Sequence, residues 1–124
     1  MINFKGKKIL ITGATGGIGN SLVKKFLSLD GTVLATGTNT EKLDALKKEF
    51  SNINVLKFDI SDHSKIEDFI ENVTSQLVGL DVLVNNAGIT MDNLSLRMKD
   101  EEWKKVIDIN LSSTFYLCKH AIKK

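Results

Sequence analysis

The chain has 124 residues, 42% of them hydrophobic and 26% charged, with 17 Lys and Arg against 15 Asp and Glu. This is the size and balance of one soluble globular domain with a single core. The cations are almost all Lys, with Arg97 the one arginine, and Lys24–Lys25, Lys47–Lys48 and Lys104–Lys105 stand among acids on helix exteriors, so no basic stripe for nucleic acid forms. A single cysteine, Cys118, excludes a disulfide framework and a cysteine-based metal site. No stretch reads as a signal peptide and none approaches the roughly 18 apolar residues of a membrane span, so no membrane is expected and the cytoplasm is the default location.

In chain order, Ile9–Leu10–Ile11 is an apolar run of the kind a strand buried on both faces needs. Thr12 and Gly13 break it, and Gly16, Gly17 and Gly19 crowd the start of a helical pattern carried by Ile18, Leu22 and Phe26. Thr32–Gly37 reads as a second strand, followed by a helix around Thr40–Phe50 with Leu43, Leu46 and Phe50 inward. Ile53–Phe58 is a third strand ending at Asp59. Ser61 and Ser64 offer caps for the next helix, Ser64 and Glu67 at capping-box spacing, with Ile66, Phe69, Ile70, Val73 and Leu77 as its apolar face. Asp81–Asn85 is a fourth strand, turning at Asn86–Gly88. From Asp100 to the end the pattern is helical, and Trp103, Val106, Ile107, Leu111, Phe115, Cys118 and Ile122 form the expected buried stripe.

Strands alternating with helices mean βαβ units and right-handed crossovers, hence an α/β, Rossmann-like, doubly wound parallel sheet in one domain over residues 1–124. Ligands of such sheets bind beyond the carboxyl ends of the strands, where strand order reverses. Gly13–Gly19, Gly37–Thr38, Asp59–Ile60 and Asn85–Gly88 all lie at those ends.

The glycine-rich turn carries the most specific chemistry. Gly13, Gly17 and Gly19 make G-x-x-x-G-x-G, which differs from G-x-G-x-x-G, and no Lys-Ser or Lys-Thr follows as a P-loop requires. The physical demands are those of a phosphate site on a helix N-terminus: Gly13 for the tight turn, Gly17 for approach of a pyrophosphate, Gly19 for close packing of helix on strand. A glycine-rich turn that binds nothing is the plain alternative.

Taken together, TGATGGIG (Thr12–Gly19), Asp59, NNAG (Asn85–Gly88) and Asn110 resemble the short-chain dehydrogenase/reductase family over nearly the whole chain, from about Phe4. Within it, Asn85–Lys119 is similar to the 3-oxoacyl-[acyl-carrier-protein] reductases of fatty-acid synthesis. The resemblance implies a nicotinamide dinucleotide whose pyrophosphate lies on Gly13, Gly17 and Gly19, with Ala14, Thr15, Gly16 and Ile18 completing the turn. It implies that Asp59 accepts from the adenine amino group beside Ile60, and that Asn86, Ala87 and Gly88 line the adenosine ribose. For Asp59 the alternative is a carboxylate capping the next helix. The resemblance further implies that Asn110 kinks the last helix and holds a water of a proton relay; the alternative is a polar residue on a helix edge, tolerated at some cost in propensity. It also implies an acyl-carrier-protein-linked substrate and a homo-oligomer.

Cofactor choice is argued from the end of the second strand. NAD sites place an acid there for the ribose 2′-OH, whereas this chain has Gly37–Thr38–Asn39–Thr40 and its first acid at Glu41. NADP(H) is therefore expected over NAD(H), with Thr38 and Asn39 as donors, although Thr38 with Glu41 also fits a capping box. Relatives often carry a basic residue where Gly16 or Thr38 stands.

The family's chemistry uses a Ser, and a Tyr with a Lys one helical turn later, which lowers the Tyr pKa. Tyr116 is the only tyrosine; position 120 is His120, Lys119 falls one residue short, and Ser112, Ser113 and Tyr116 precede the segment that carries this chemistry in relatives. The expectation is a chain that supplies cofactor-binding elements, ends about halfway through a family member, and alone neither turns over substrate nor folds as a stable monomer. The competing expectations are a non-catalytic nucleotide-binding or interaction module, and a reductase of another small ketone.

Overall fold

The computed structural model describes all residues, Met1–Lys124. Its order is β1 (Lys8–Ile11), α1 (Gly17–Ser28), β2 (Thr32–Gly37), α2 (Thr40–Glu49), β3 (Asn54–Lys57), a 3₁₀ turn (His63–Lys65), α3 (Ile66–Leu77), β4 (Val82–Val84), α4 (Asp100–Ile107), a π-helical segment (Asp108–Ser112) and α5 (Ser113–Ala121). The four strands form one parallel sheet in the order β3-β2-β1-β4. Ile9 pairs with Val33 on one side and with Val82 on the other, and Ala35 pairs with Val55. The chain winds outward from β1 to β3, then returns to place β4 on the far side of β1. The expected α/β class is what forms, and the strand order reverses between β1 and β4.

Alternation along the central strands divides the core into two layers. Ile9, Ile11, Val33 and Ala35 face α1 and α2, meeting Val23 and Leu46. Leu10 and Leu34 point the other way, against Ile66, Phe69, Ile70, Val73 and Leu77 of α3 and Leu117 of α5. The apolar face expected for α3 is buried throughout. Burial on both sides explains why β1 reads as an unbroken apolar run.

The sequence reading needs five corrections. The third and fourth strands are shorter than expected, at Asn54–Lys57 and Val82–Val84. Neither Ser61 nor Ser64 caps α3: Ser64 Oγ donates to Asp62 Oδ1 at 3.0 Å, and the 3₁₀ turn intervenes before Ile66. Asn39, not Thr38, caps α2, its Oδ1 accepting from Lys42 N at 3.0 Å. Phe50 lies just past α2 and is half-buried rather than a core residue.

The last correction concerns the carboxyl-terminal helix. It is interrupted by the π-helical segment, and the expected buried stripe is largely exposed: Trp103 at 62%, Leu111 at 62%, Phe115 at 61% and Ile122 at 84%. Periodicity marks an apolar face, but burial needs a covering element. The face that α5 does bury is set by Ser113 and Leu117, with Tyr116 packed at its edge.

Candidate functional site

The site is built at the carboxyl ends of β1, β2, β3 and β4, around the turn Thr12–Gly16. Gly13 adopts φ +60°, and a Cβ there would lie 2.7 Å from Ala87 Cα. A Cβ on Gly19 would stand 2.1 Å from the Gly13 carbonyl oxygen and 2.6 Å from Ala14 Cα. These two positions therefore require glycine, the first for its left-handed backbone and close approach, the second for contact alone. Gly17 differs, because a Cβ there would meet nothing within 4 Å. Its lack of a side chain serves open space.

That space lies over the start of α1. Gly16 is the N-cap residue in extended conformation, and no side chain caps the helix. The first intrahelical bond at this end runs from Asn20 N to Gly16 O at 2.8 Å. The amides of Gly17, Ile18 and Gly19 thus have no acceptor within the helix, and with the helix dipole they form a ready anion receptor. Gly13, Thr15, Gly16, Gly17, Ile18, Gly19, Asn86, Ala87 and Gly88 line the recess above them.

A second cleft adjoins the first. Its walls are Thr15, Gly37 and Thr38 from one side, Phe58, Asp59 and Ile60 from the β3 loop, and Ala87, Gly88, Ile89 and Ile109 from the other. Gly13, Thr15, Ala87 and Gly88 border both spaces, which places one continuous crevice at the strand-order reversal. The structure brings Gly13, Thr15, Gly16, Gly17, Ile18, Gly19, Thr38, Asp59, Ile60, Asn86, Ala87 and Gly88 to its walls. Ala14 is fully buried and faces the core beneath.

Two side chains hold the crevice open. Asn86 Nδ2 donates to the carbonyls of Thr12 and Gly13 at 3.2 and 3.0 Å. Thr12 is the second and is 1% exposed. Its Oγ1 accepts from the amides of Asn86 and Ala87 at 3.1 and 3.0 Å and donates to Val84 O at 3.3 Å. Sequence reasoning placed Thr12 only as the end of a strand. A hydroxyl directly before a glycine turn was the available signal, but its partners are more than 70 residues away. Asn85 ties elsewhere, its Nδ2 donating to Cys118 Sγ at 3.3 Å.

Asp59 is part of a local turn. Its Oδ1 accepts from Ser61 Oγ at 2.7 Å and from Ser61 N at 2.9 Å. These two bonds hold the carboxyl below its ordinary pKa; partial burial opposes them, and the Lys105 charge adds to them. Asp59 therefore stays ionised and does not cap α3, which begins at Ile66. Lys42 was not singled out from sequence. It lines a recess between α1 and α2 together with Thr15, Asn20 and Glu49, and Thr15 also belongs to the crevice wall.

Asn110 sits in the π-helical segment, and both ends of its carboxamide bond the backbone of Ile89. Oδ1 accepts from Ile89 N and Nδ2 donates to Ile89 O, both at 2.8 Å. A Cβ on Gly88 would come within 3.2 Å of that Oδ1. The last helix is thereby stitched to the segment that follows β4. The other polar groups of this helix lie away from the crevice. Ser113 is fully buried, and the Tyr116 ring packs against His63. No group of His, Cys, Asp and Glu has the arrangement of a metal site, and no helix is long and apolar enough to cross a membrane.

Comparison with known proteins agrees with this geometry. The family model described as "short chain dehydrogenase" matches residues 7–124. The chain is 42% identical over 124 residues to a 3-oxoacyl-[acyl-carrier-protein] reductase of Rickettsia bellii, and 39% identical over 123 residues to the one of Escherichia coli. These alignments cover 100% and 98% of this chain but 50% of each relative, so the chain spans about half the length of the curated relatives it matches. Among solved structures, a short-chain dehydrogenase/reductase of Brucella melitensis superposes with a TM-score of 0.91 at 31% identity, covering 98% of this chain and 53% of that one. A blue fluorescent protein from a metagenomic library, solved in complex with NADPH, shares the fold with a TM-score of 0.91 at 24% identity, covering 99% and 53%. By the family match over residues 7–124, the chain belongs to the short-chain dehydrogenases.

Proposed function

We propose that this chain binds a nicotinamide dinucleotide, NADP(H) in preference to NAD(H), as the cofactor-holding part of a reductase of 3-oxoacyl groups carried on acyl carrier protein. The observation that carries the reading is the continuous crevice at the β1–β4 reversal, floored at one end by the uncapped amides of Gly17–Gly19. The open space at Gly17 fits a pyrophosphate there. Asp59, ionised and facing the second cleft, fits an adenine amino group, with Ile60 against the ring and Ala87 and Gly88 along the ribose. When bound, the dihydronicotinamide supplies a hydride to a carbonyl carbon. This chain's own part is to orient the dinucleotide and exclude water from its adenosine end.

The preference for a 2′-phosphate rests on the end of β2. Thr38 presents a hydroxyl and no carboxylate, and Lys42 lines a neighbouring recess that shares Thr15 with the crevice. Asn39 keeps its Nδ2 protons for donation, because the α2 cap uses only its Oδ1 as acceptor. Asn110 enters the proposal as a residue of the proton relay that first holds Ile89 in place. Ser113 and Tyr116 take no part in carbonyl binding, being turned toward His63. The carbonyl-binding Ser and the Tyr–Lys pair are then supplied from outside these 124 residues.

Titration of the purified chain with NADPH, NADH, 2′,5′-ADP and 5′-AMP tests the cofactor reading. Binding of NADPH and 2′,5′-ADP, with T38D shifting preference toward NADH, is the expected result; failure of all four ligands to bind refutes it. NADPH oxidation with an acetoacetyl thioester tests the rest. The chain alone is expected to give no turnover, and turnover is expected when the carboxyl-terminal half of the Escherichia coli relative is added.

The exposed Trp103, Leu111, Phe115 and Ile122 favour a second reading for α4 and α5, that of a homo-oligomer contact. Light scattering of the chain and of F115E checks it, with a multimer expected for the first and a smaller species for the second.

A further inference from the structure

Three walls of the adenosine cleft converge on the π-helical segment. Ile109 belongs to it, Asn110 holds Ile89, and Ser113, immediately after it, donates to Ile60 O at 2.7 Å. The last contact is contested. Ser113 Oγ also lies 2.9 Å from Asp108 O, and a hydroxyl has one proton to give. His63, on the 3₁₀ turn just after the β3 loop, resolves the contest. Its Nε2 stands 2.9 Å from Ser113 Oγ and 3.1 Å from Asp108 O. A proton on Nε2 serves both acceptors, and the Ser113 proton is then free for Ile60. A proton on Nδ1 instead would make Nε2 an acceptor competing for that same Ser113 proton; Asp108 O would keep the Ser113 amide, so the bond at risk is the one to Ile60 O.

We propose that His63 is a positioning residue for the cofactor's adenosine end: as the Nε2–H tautomer it pins Ser113 and Asp108, so that Ser113 fixes Ile60 in the cleft wall. The inference rests on the cofactor reading above. A Ser–His pair at this distance invites comparison with an activated nucleophile, but Ser113 is 0% exposed and donates into a backbone carbonyl, so no substrate reaches it. The Tyr116 ring, 5.0 Å from the His63 ring between centroids, holds the imidazole in place from α5. The consequence is a link between the β3 loop and the last helix that does not pass through the glycine turn.

Two measurements test this. Long-range ¹H–¹⁵N correlation on the wild-type chain, read on the neutral imidazole, should find His63 protonated at Nε2 and bare at Nδ1; the opposite tautomer overturns the proposal. Titration with 2′,5′-ADP should then separate H63F, which keeps a ring against Tyr116 but has no donor, from H63Q, whose amide nitrogen donates from nearly the Nε2 position. H63F is expected to bind about tenfold more weakly, the scale of one lost hydrogen bond, and H63Q within about twofold of wild type. Binding of inorganic pyrophosphate, which reports on Gly16–Gly19, should be unchanged in both. If H63F does not fold, S113A is the second variant and should show the same loss. Wild-type affinity in H63F, or an equal loss in H63F and H63Q, overturns the role of His63. Failure of the wild type to bind 2′,5′-ADP instead removes the cofactor reading beneath it.

Discussion

Thr12→Val is the sharpest test of how the crevice is held together. Valine matches threonine in shape, so no cavity forms, and the substitution removes only the hydroxyl. That hydroxyl accepts from Asn86 N and Ala87 N and donates to Val84 O. The losses are unequal. Asn86 N keeps a second acceptor in Val84 O at 3.0 Å, and Val84 O keeps the Thr12 amide at 3.1 Å, whereas Ala87 N has Thr12 Oγ1 alone. A part-buried amide left without an acceptor costs about 1–3 kcal/mol, and the two weakened contacts add about 1 kcal/mol together. The expected destabilisation is therefore about 3 kcal/mol, roughly 150-fold in the folding equilibrium. Urea unfolding measures it, provided the m-value is unchanged. Thr12→Ser is the control: it retains the hydroxyl and should lose only about 1 kcal/mol for the buried methyl. A Thr12→Val midpoint equal to wild type, or a Thr12→Ser loss as large as that of Thr12→Val, would refute the reasoning.

Three further outcomes follow from the same structure. Gly19→Ala places its Cβ on the Gly13 carbonyl and should abolish folding, read by circular dichroism, whereas Gly17→Ala should keep the fold and weaken NADPH binding at least tenfold by filling the open recess. Val78, a β-branched residue at φ +57° and 85% exposed at the end of α3, is strained by its backbone, so Val78→Asn should raise stability by about 1 kcal/mol in the same urea assay. Asp59 has a folded-state pKa below its ordinary value, so its charge contributes stability that is present above the ordinary carboxylate pKa and is lost as pH falls through the lowered folded value. The difference in unfolding midpoint between wild type and Asp59→Asn should accordingly shrink on acidification below about pH 4; a difference that is constant down to pH 2 would count against the Ser61 bonds as its cause.

What could be read from sequence depended on how far each feature reaches along the chain. The glycine turn was legible because its demands are local: Gly13 needs a left-handed backbone and Gly19 touches a residue only six positions away. The apolar face of α3 was legible because its partners, the central strands, are themselves apolar runs. Ser64–Glu67 had the spacing of a capping box, yet Asp62 captured the serine first. The stripe of α4 and α5 failed for a different reason: a repeat of Trp103, Leu111, Phe115 and Ile122 records what a helix could bury, while the described chain buries the neighbouring face through Leu117. Thr12 and His63 were missed because the partners that give them meaning lie more than 70 and about 50 positions away. No local pattern encodes such pairs.

The sheet order has a kinetic consequence. β1 meets β2 across a separation of 24 residues, from Lys8 to Thr32, but it meets β4 across 73, from Ile9 to Val82. Closing the longer loop is entropically dearer and slower, so the β1–β4 seam should zip last and part first. That seam carries the Thr12–Asn86 contacts and opens directly into the crevice. A dinucleotide lying across it would bridge the late-forming junction, so its main effect on the protein should be to slow unfolding while leaving the folding rate nearly unchanged.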